Sequence, residues 1–242
     1  MQGIPISGAT CTQGVLPDFP GTLELWLNHI ETIGLHTLAG LELIGTAAFA
    51  VSGVLGAVRK KMDVVGIVVC GFLAAFGGGT LRDVLLDRRP FFWVEHQSAL
   101  LGVLVLCLVC ATFFHRLDLH SGQKRLQIPD ALGLGLFAAT GLHVSWSMGQ
   151  PPAVAIMMGV ITATFGGVLR DLICNEIPSL FKDHRPYAIC ALAGGITYVA
   201  LIWVGASDGS AVAACAVVTT GSRLITLWLD LTLPSIHSNR AP

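Results

Sequence analysis

The sequence predicts an all-α integral membrane protein: seven transmembrane helices built as two inverted three-helix repeats plus one, with helices two and five broken by glycine. Composition, the lengths of the apolar runs and an internal repeat predict it. Of 242 residues, 53% are hydrophobic and only 12% are charged, and the mean hydropathy is +0.72. A soluble domain carries about 25% charged residues. Half that charge cannot cover a water-exposed globule of this size, which excludes an ordinary soluble enzyme, a disordered chain and a nucleic-acid-binding protein. Fourteen Lys+Arg against fifteen Asp+Glu leave a net charge of −1, so no overall field selects a polyanion. Twenty-eight Gly suit helices that approach closely in a membrane. Seven Cys, most of them inside apolar runs, do not read as a disulfide framework.

A membrane-spanning helix needs roughly 20 mostly apolar residues. Seven stretches qualify: Leu38–Val58, Val64–Leu86, Ser98–His115, Pro129–Ser147, Pro152–Cys174, Pro186–Val204 and Gly209–Asp230. They divide the chain into an extracytoplasmic tail (1–37), a first repeat (38–115), a second repeat (129–204), a seventh helix (209–230) and a cytoplasmic tail (231–242). The first tail has no Lys or Arg and so lacks the basic region of a signal peptide. Within it, Leu23, Trp26, Leu27, Ile30 and Ile33 have the spacing of an interfacial helix. Nine basic residues fall on one side (Arg59, Lys60, Lys61, Arg116, Lys124, Arg125, Lys182, Arg185, Arg240) and two, Arg88 and Arg89, on the other. The positive-inside rule then puts the N-terminus outside and the C-terminus in the cytoplasm of a bacterial inner membrane.

The repeat emerges when the chain is laid on itself at an offset of 88 residues. Gly45 falls on Gly133, Phe49 on Phe137, Gly53 on Gly141, Gly71 on Gly159 and Gly78-Gly79 on Gly166-Gly167. Without a gap, Leu81-Arg82-Asp83 then meets Leu169-Arg170-Asp171, and Pro90 meets Pro178. Shared hydrophobic background does not align Gly, Arg, Asp and Pro in one register. Three spans per repeat is an odd number, so the second copy is inverted, an architecture of membrane transport proteins whose site lies at the repeat interface.

The candidate pathway residues follow from that interface. Gly77-Gly78-Gly79-Thr80 in span two and Gly166-Gly167 in span five weaken their helices by about 1 kcal/mol per Gly relative to Ala. Either the glycines permit close packing, or an unwound turn frees carbonyls for a cation. Counting residues along each span puts the two breaks on either side of the midplane, about 10 Å apart. Beyond them lie Arg82, Asp83, Arg170 and Asp171. Ionisable residues in spans pair or face a cavity, and the expected pairs across the pseudo-two-fold are Arg82–Asp171 and Arg170–Asp83; snorkelling arginines are the alternative. Glu42, Ser52, Thr140, Thr162 and Thr164 offer further oxygens, unless the hydroxyls bond their own helix carbonyls. Arg223 in span seven has no repeat partner and has three candidate roles: meeting Glu42, binding a lipid phosphate, or holding a subunit contact. Cys107-x-x-Cys110 has no second ligand pair and reads as packing. His143 is the one histidine deep in a span and reads as a helix contact. No nucleophile elbow, P-loop or dinucleotide fingerprint occurs, so neither an enzyme nor a resident metal or cofactor is expected.

Gly45, Phe49-Ala50 and Gly53, with Gly77-Gly78-Gly79-Thr80-Leu81-Arg82-Asp83 and its second copy, resemble the prokaryotic trimeric intracellular cation (TRIC) channel family, also described as a glycine transporter family. The resemblance covers about Leu41 to Leu229. It implies a homotrimer with one pore per protomer, lined by kinked helices two and five and passing monovalent cations, chiefly K⁺ with Na⁺. Partners would be those cations and membrane lipid, with no nucleic acid. Span four carries no Lys or Arg between Pro129 and Met148, and the C-terminal tail is not Lys-rich. That departs from the animal members and from their voltage response and lipid-phosphate binding. The alternative is a secondary transporter of a small zwitterion such as glycine.

Overall fold

A computed structural model describes residues 21–115, 123–182 and 186–231 of the chain, and the described side chains of the first helix begin at Leu38. Residues 37–242 form one compact unit and residues 1–36 another. The described residues hold α1 (Gly21–Arg59), α2 (Val64–Leu85), the single turn α3 (Phe92–Glu95), α4 (Gln97–His115), α5 (Gln123–Ser147), α6 (Pro152–Ile173), the single turn α7 (Ser179–Lys182), α8 (Ala188–Trp203) and α9 (Asp208–Trp228). Four segments are long and apolar enough to cross a membrane: Leu38–Arg59, Val64–Leu85, Pro152–Ile173 and Asp208–Trp228. Gln97–Phe113 and Ala188–Trp203 are shorter apolar helices. The predicted interfacial helix falls within α1, on residues whose side chains lie outside the described set, and the chain beyond Leu231 is outside it too.

Local chemistry sets the helix ends. Asp63 caps α2, its carboxylate accepting from the Gly66 N–H at 2.7 Å, which satisfies one of the free donors of the first turn. Pro152 opens α6, where its missing N–H costs nothing. At the other ends the repeat is exact in its backbone. Asp87 and Asn175, 88 residues apart, both take the left-handed conformation, at φ 51° and 52°. Asp and Asn tolerate that region better than other side chains. The N–H of Arg88 reaches the Asp83 carbonyl at 2.8 Å, and that of Glu176 the Asp171 carbonyl at 2.9 Å, closing two equivalent C-terminal turns.

The order long–long–turn–long therefore occurs twice, as α1–α4 and α5–α8, with α9 added. Each copy has its own core. Ala50, Val54, Ile67, Cys70, Val103 and Cys107 fill the first; Leu134, Phe137, Leu142, Tyr198, Val212 and Cys215 fill the second, where α9 packs in. The Phe49 and Phe137 rings, which are repeat equivalents, stack on each other with centroids 5.4 Å apart. A residue that touches its own equivalent lies on the two-fold. The outer faces are apolar, with Val65, Leu101, Val105 and Ile225 exposed, while Arg82, Asp83, Arg170 and Asp171 are buried. Charge inside and hydrocarbon outside is the arrangement a bilayer requires.

One expectation is corrected. The backbone stays helical through Gly77–Gly79 in α2 and through Gly166–Gly167 in α6, so neither helix is unwound. Nor are the two glycine segments about 10 Å apart. A Cβ built on Gly78 would lie 3.7 Å from the Gly166 nitrogen, so they meet. The intact helical hydrogen bonds outweigh the weak propensity of glycine, and the missing side chains serve close approach.

Candidate functional site

The meeting of α2 and α6 is the centre of the molecule. A Cβ on Gly78 would run into the Thr162 carbonyl, and one on Gly166 into the Ala74 carbonyl. Thr162 is the repeat equivalent of Ala74, so the two contacts are one contact made twice, the isologous pattern of a two-fold. Gly53 against Ala74, at 2.9 Å from its added Cβ, and Gly141 against Thr162, at 2.7 Å, repeat the rule. At Gly78 and Gly166 backbone meets backbone, while Gly53 and Gly141 leave room for the Ala74 and Thr162 side chains, approaches that only glycine allows.

An ionic network stands on each side of this crossing. In the first, Arg82 donates through Nε to Asp83 Oδ1 at 2.8 Å and through Nη2 to Glu42 Oε1 at 2.9 Å. In the second, Arg170 donates through Nε to Asp171 Oδ1 at 2.8 Å and through Nη1 to Asp130 Oδ1 at 2.5 Å. Glu42 and Asp130 are repeat equivalents, as are the other members. The expected cross-pairs Arg82–Asp171 and Arg170–Asp83 are therefore corrected: each arginine pairs within its own repeat. The cause is reach, because the adjacent aspartate and a carboxylate on the preceding long helix already occupy the guanidinium. Snorkelling does not occur either, since both arginines are buried to 2% exposure or less.

The networks differ in completeness. Ser52 Oγ accepts a further bond from Arg170 Nη1 at 2.5 Å, and Asp171 Oδ2 accepts from the Ser179 N–H and hydroxyl at 2.8 and 2.9 Å. The corresponding atoms of the first network, Arg82 Nη1 and Asp83 Oδ2, find no hydrogen-bond partner among the described residues. Thr140 stands where Ser52 would be repeated, but donates to its own helix at Leu136. Phe91 stands in place of Ser179.

Two small cavities lie beside the networks, the first mostly apolar and the second polar. One, of about 10 Å³, is lined by Glu42, Thr46, Gly79, Thr80, Trp93 and Phe137 among others. The other, of about 20 Å³, is lined by Asp130, Arg170, Asp171, Glu176, Ser179 and Arg223 among others. Each has room for about one water-sized sphere. Gly79 lines the first, where an added Cβ would stand 3.7 Å from Glu42 Oε1; Gly167 packs beside the second network, where an added Cβ would meet the Tyr187 hydroxyl at 2.9 Å and Asp130 Oδ1 at 3.4 Å.

The remaining predicted residues divide. Thr162 and Thr164 donate to the carbonyls of Met158 and Val160 on their own helix, so their protons are already used. Thr80 accepts from Trp93 Nε1 at 3.2 Å beside the first cavity. Arg223 lies not with Glu42 but in the second cavity, over the Tyr187 ring at 4.7 Å. His143 meets the Tyr198 hydroxyl at 2.8 Å, and Cys107 is buried against the first core, as packing roles require. Ser179, Tyr187 and Trp93 were not singled out in the sequence. Ser179 follows Pro178 in the copy of Pro90 and differs from its equivalent Phe91; that divergence within a matched register is the signal that marks it.

At the edge of the second cavity Glu176 receives Arg59 Nη2 at 2.7 Å and Lys60 Nζ at 2.8 Å. Burial opposes its ionisation, but the Lys60 hydrogen bond and the charges of Arg59 and Lys60 together hold the carboxyl below its usual range. A lowered folded pKa gives stability that is present above the unfolded value and lost as pH falls through the folded one. Wild type should therefore exceed Glu176→Gln by at most about 1 kcal/mol at pH 7, as half-exposed pairs do. The two should converge below pH 4 in detergent-solubilised thermal unfolding; a gap that persists there would remove the ion pair as its source.

These features define a class: an all-helical membrane protein made of two repeats about a two-fold, with ionic networks buried between its helices. The Glycine transporter family model matches the chain twice, over residues 40–116 and 127–203, and the chain belongs to that family. Its fold is that of the TRIC channels. A TRIC trimeric intracellular cation channel orthologue from Rhodobacter sphaeroides superposes with a TM-score of 0.75 at 39% identity, covering 81% of this chain and 99% of that one. A prokaryotic TRIC channel solved in 0.5 M KCl gives a TM-score of 0.75 at 28% identity, over 82% of this chain and 100% of that one. Among curated relatives, the inner membrane protein YadS of Escherichia coli K12 is 37% identical over 65% of this chain and 75% of its own length. A UPF0126 membrane protein of Vibrio cholerae is 34% identical over 81% of each. The chain is a bacterial membrane protein.

Proposed function

We propose that the chain is a monovalent cation channel, permeable to K⁺ and also Na⁺, that works as a homotrimer with one pathway in each protomer. The carrying observation is the pair of buried ionic networks, Glu42–Arg82–Asp83 and Asp130–Arg170–Asp171, that the repeat sets on either side of the α2–α6 glycine crossing. The pathway runs from the Glu42 cavity past Gly79, Gly78, Gly166 and Gly167 to the Asp130 cavity, and the backbone contact at the crossing shuts it in this conformation. Each network sets two carboxylates against one arginine, Glu42 and Asp83 on Arg82, and Asp130 and Asp171 on Arg170. The extra carboxylate of each network favours a cation beside it, and Arg223, which lines the Asp130 cavity, offsets that charge at the second mouth. The chain's likeness to solved TRIC channels, one of them in 0.5 M KCl, supports the same reading. Seven spans, with the Glu42 mouth outside and the Asp130 mouth in the cytoplasm, agree with the distribution of Lys and Arg.

A second reading is uptake of glycine, favoured by the family's description: a zwitterion needs both a carboxylate and a guanidinium, and the second cavity, lined by Asp130, Asp171, Arg170 and Arg223, offers the two. Reconstitution of the purified chain in planar bilayers separates them. Discrete unitary currents in KCl, with a reversal potential on the cation side of a salt gradient, are the result expected of a channel. Saturable uptake of labelled glycine by proteoliposomes, with no unitary current, would overturn it.

A further inference from the structure

We propose that the second cavity is an anion site, in which Arg223 binds a chloride-sized monovalent anion. Every other charged group there is committed. Asp130 and both oxygens of Asp171 accept from Arg170 and Ser179, and Glu176 is held by Arg59 and Lys60. Arg223 alone is not: its Nε and Nη1 atoms are buried without an acceptor among the described residues, on a side chain only 2% exposed that lines the cavity. The Tyr187 face beneath it, 4.7 Å away, supplies a cation–π contact but no hydrogen-bond acceptor. A buried guanidinium without an acceptor is costly.

Charge and size choose the ligand. Arg59, Lys60, Arg170 and Arg223 face Asp130, Asp171 and Glu176, four cations against three carboxylates, so one monovalent anion brings the cluster to neutrality. The cavity volume of about 20 Å³ accepts one water-sized sphere and is too small for a lipid phosphate group. The repeat provides an internal comparison. The first cavity is lined by no arginine among the described residues; α9, which supplies Arg223, has no copy, and Ala99 stands where Tyr187 would be repeated. The site is thus an addition to a symmetric frame. Its effect on transport rests on the channel reading: an anion on Arg223 masks the one cation that would cancel the surplus carboxylate at this mouth. Binding itself does not depend on that reading.

Crystals of the full chain grown in bromide in place of chloride test it directly. The expected result is an anomalous peak at hydrogen-bond distance from the Arg223 guanidinium. In detergent, replacing gluconate by chloride at constant ionic strength should raise the Tm by at least about 2 °C, as a ligand specific to the folded state does. That rise should vanish in Arg223→Gln and persist in Arg88→Gln. A bromide map without the peak, a chloride rise equal in wild type and Arg223→Gln, or a phospholipid phosphate on Arg223 would each overturn the proposal. The bromide map needs no variant, so an unstable Arg223→Gln does not leave it undecided.

Discussion

Gly78→Ala should lower the Tm of the detergent-solubilised chain and Gly166→Ala should lower it by a similar amount, whereas Gly79→Ala, one residue away, should leave it equal or higher. All three substitutions gain about 1 kcal/mol of helix propensity, so the sign of each is decided by what the new methyl group meets. At Gly78 and Gly166 it meets a backbone carbonyl of the opposite helix, which cannot rotate away. Relief requires α2 and α6 to separate along a close backbone contact, and overpacking of that kind costs about 1–3 kcal/mol. At Gly79 its nearest neighbour is Glu42 Oε1 at 3.7 Å, an ordinary contact. Gly77→Ala falls between, because its methyl group meets only Cδ1 of Leu169, the end of a flexible side chain that can turn. Equal losses at residues 78 and 166 test the two-fold itself. If all the glycines responded alike, with stability rising by propensity alone, the crossing would not be the close backbone contact described.

What the sequence disclosed and what it concealed divide along one physical line. Helices, repeat and burial of the charges were legible, because apolar run length and an ungapped match of Gly, Arg, Asp and Pro report on the backbone and on partition between lipid and protein. The stretch Val64–Leu86 became α2, Val64–Leu85, and Pro152–Cys174 became α6, Pro152–Ile173. Two helices began well before their predicted spans: α5 at Gln123, because Pro129 is accommodated inside the helix, and α1 at Gly21, running on through the predicted interfacial segment. Partner choice was not legible. Propensity argued for unwinding at Gly77–Gly79, but a glycine that weakens a helix also lets another helix touch it, and only the packing distinguishes the two. Symmetry suggested pairing of the arginines across the two-fold, but Glu42 and Asp130 lie 40 residues before their arginines, and nothing in one dimension says that α1 and α5 bring them within 3 Å. Arg223 was visible as a charge without a copy, but its place over Tyr187 depends on where α9 docks.

Arg170→Met should be among the most destabilising single substitutions in the chain, by about 3–5 kcal/mol, the cost of stranding a partner of a buried ion pair. Methionine fills the space but removes the guanidinium that both Asp130 and Asp171, 4% and 5% exposed, accept from, and Arg223 in the same cavity holds its Nε and Nη1 without an acceptor among the described residues. Arg82→Met should cost less. Its network is already incomplete, with Arg82 Nη1 and Asp83 Oδ2 unpartnered, and the half-exposed Arg88 stands 3.6 Å from Asp83 to take up the freed charge. Double-mutant cycles in thermal or denaturant unfolding then read the pairing directly. Arg170 with Asp130, and Arg82 with Glu42, should couple strongly, while Arg82 with Asp171 should be additive within about 0.3–0.5 kcal/mol, as for groups that share no partner. Neutralising the stranded acids, by adding Asp130→Asn and Asp171→Asn to Arg170→Met, should recover most of the loss, because an uncharged cluster no longer has a desolvated charge to compensate. Strong coupling between Arg82 and Asp171 would instead mean that the arginines exchange partners across the two-fold, and that the two mouths of the proposed pathway are joined by one network rather than closed by two.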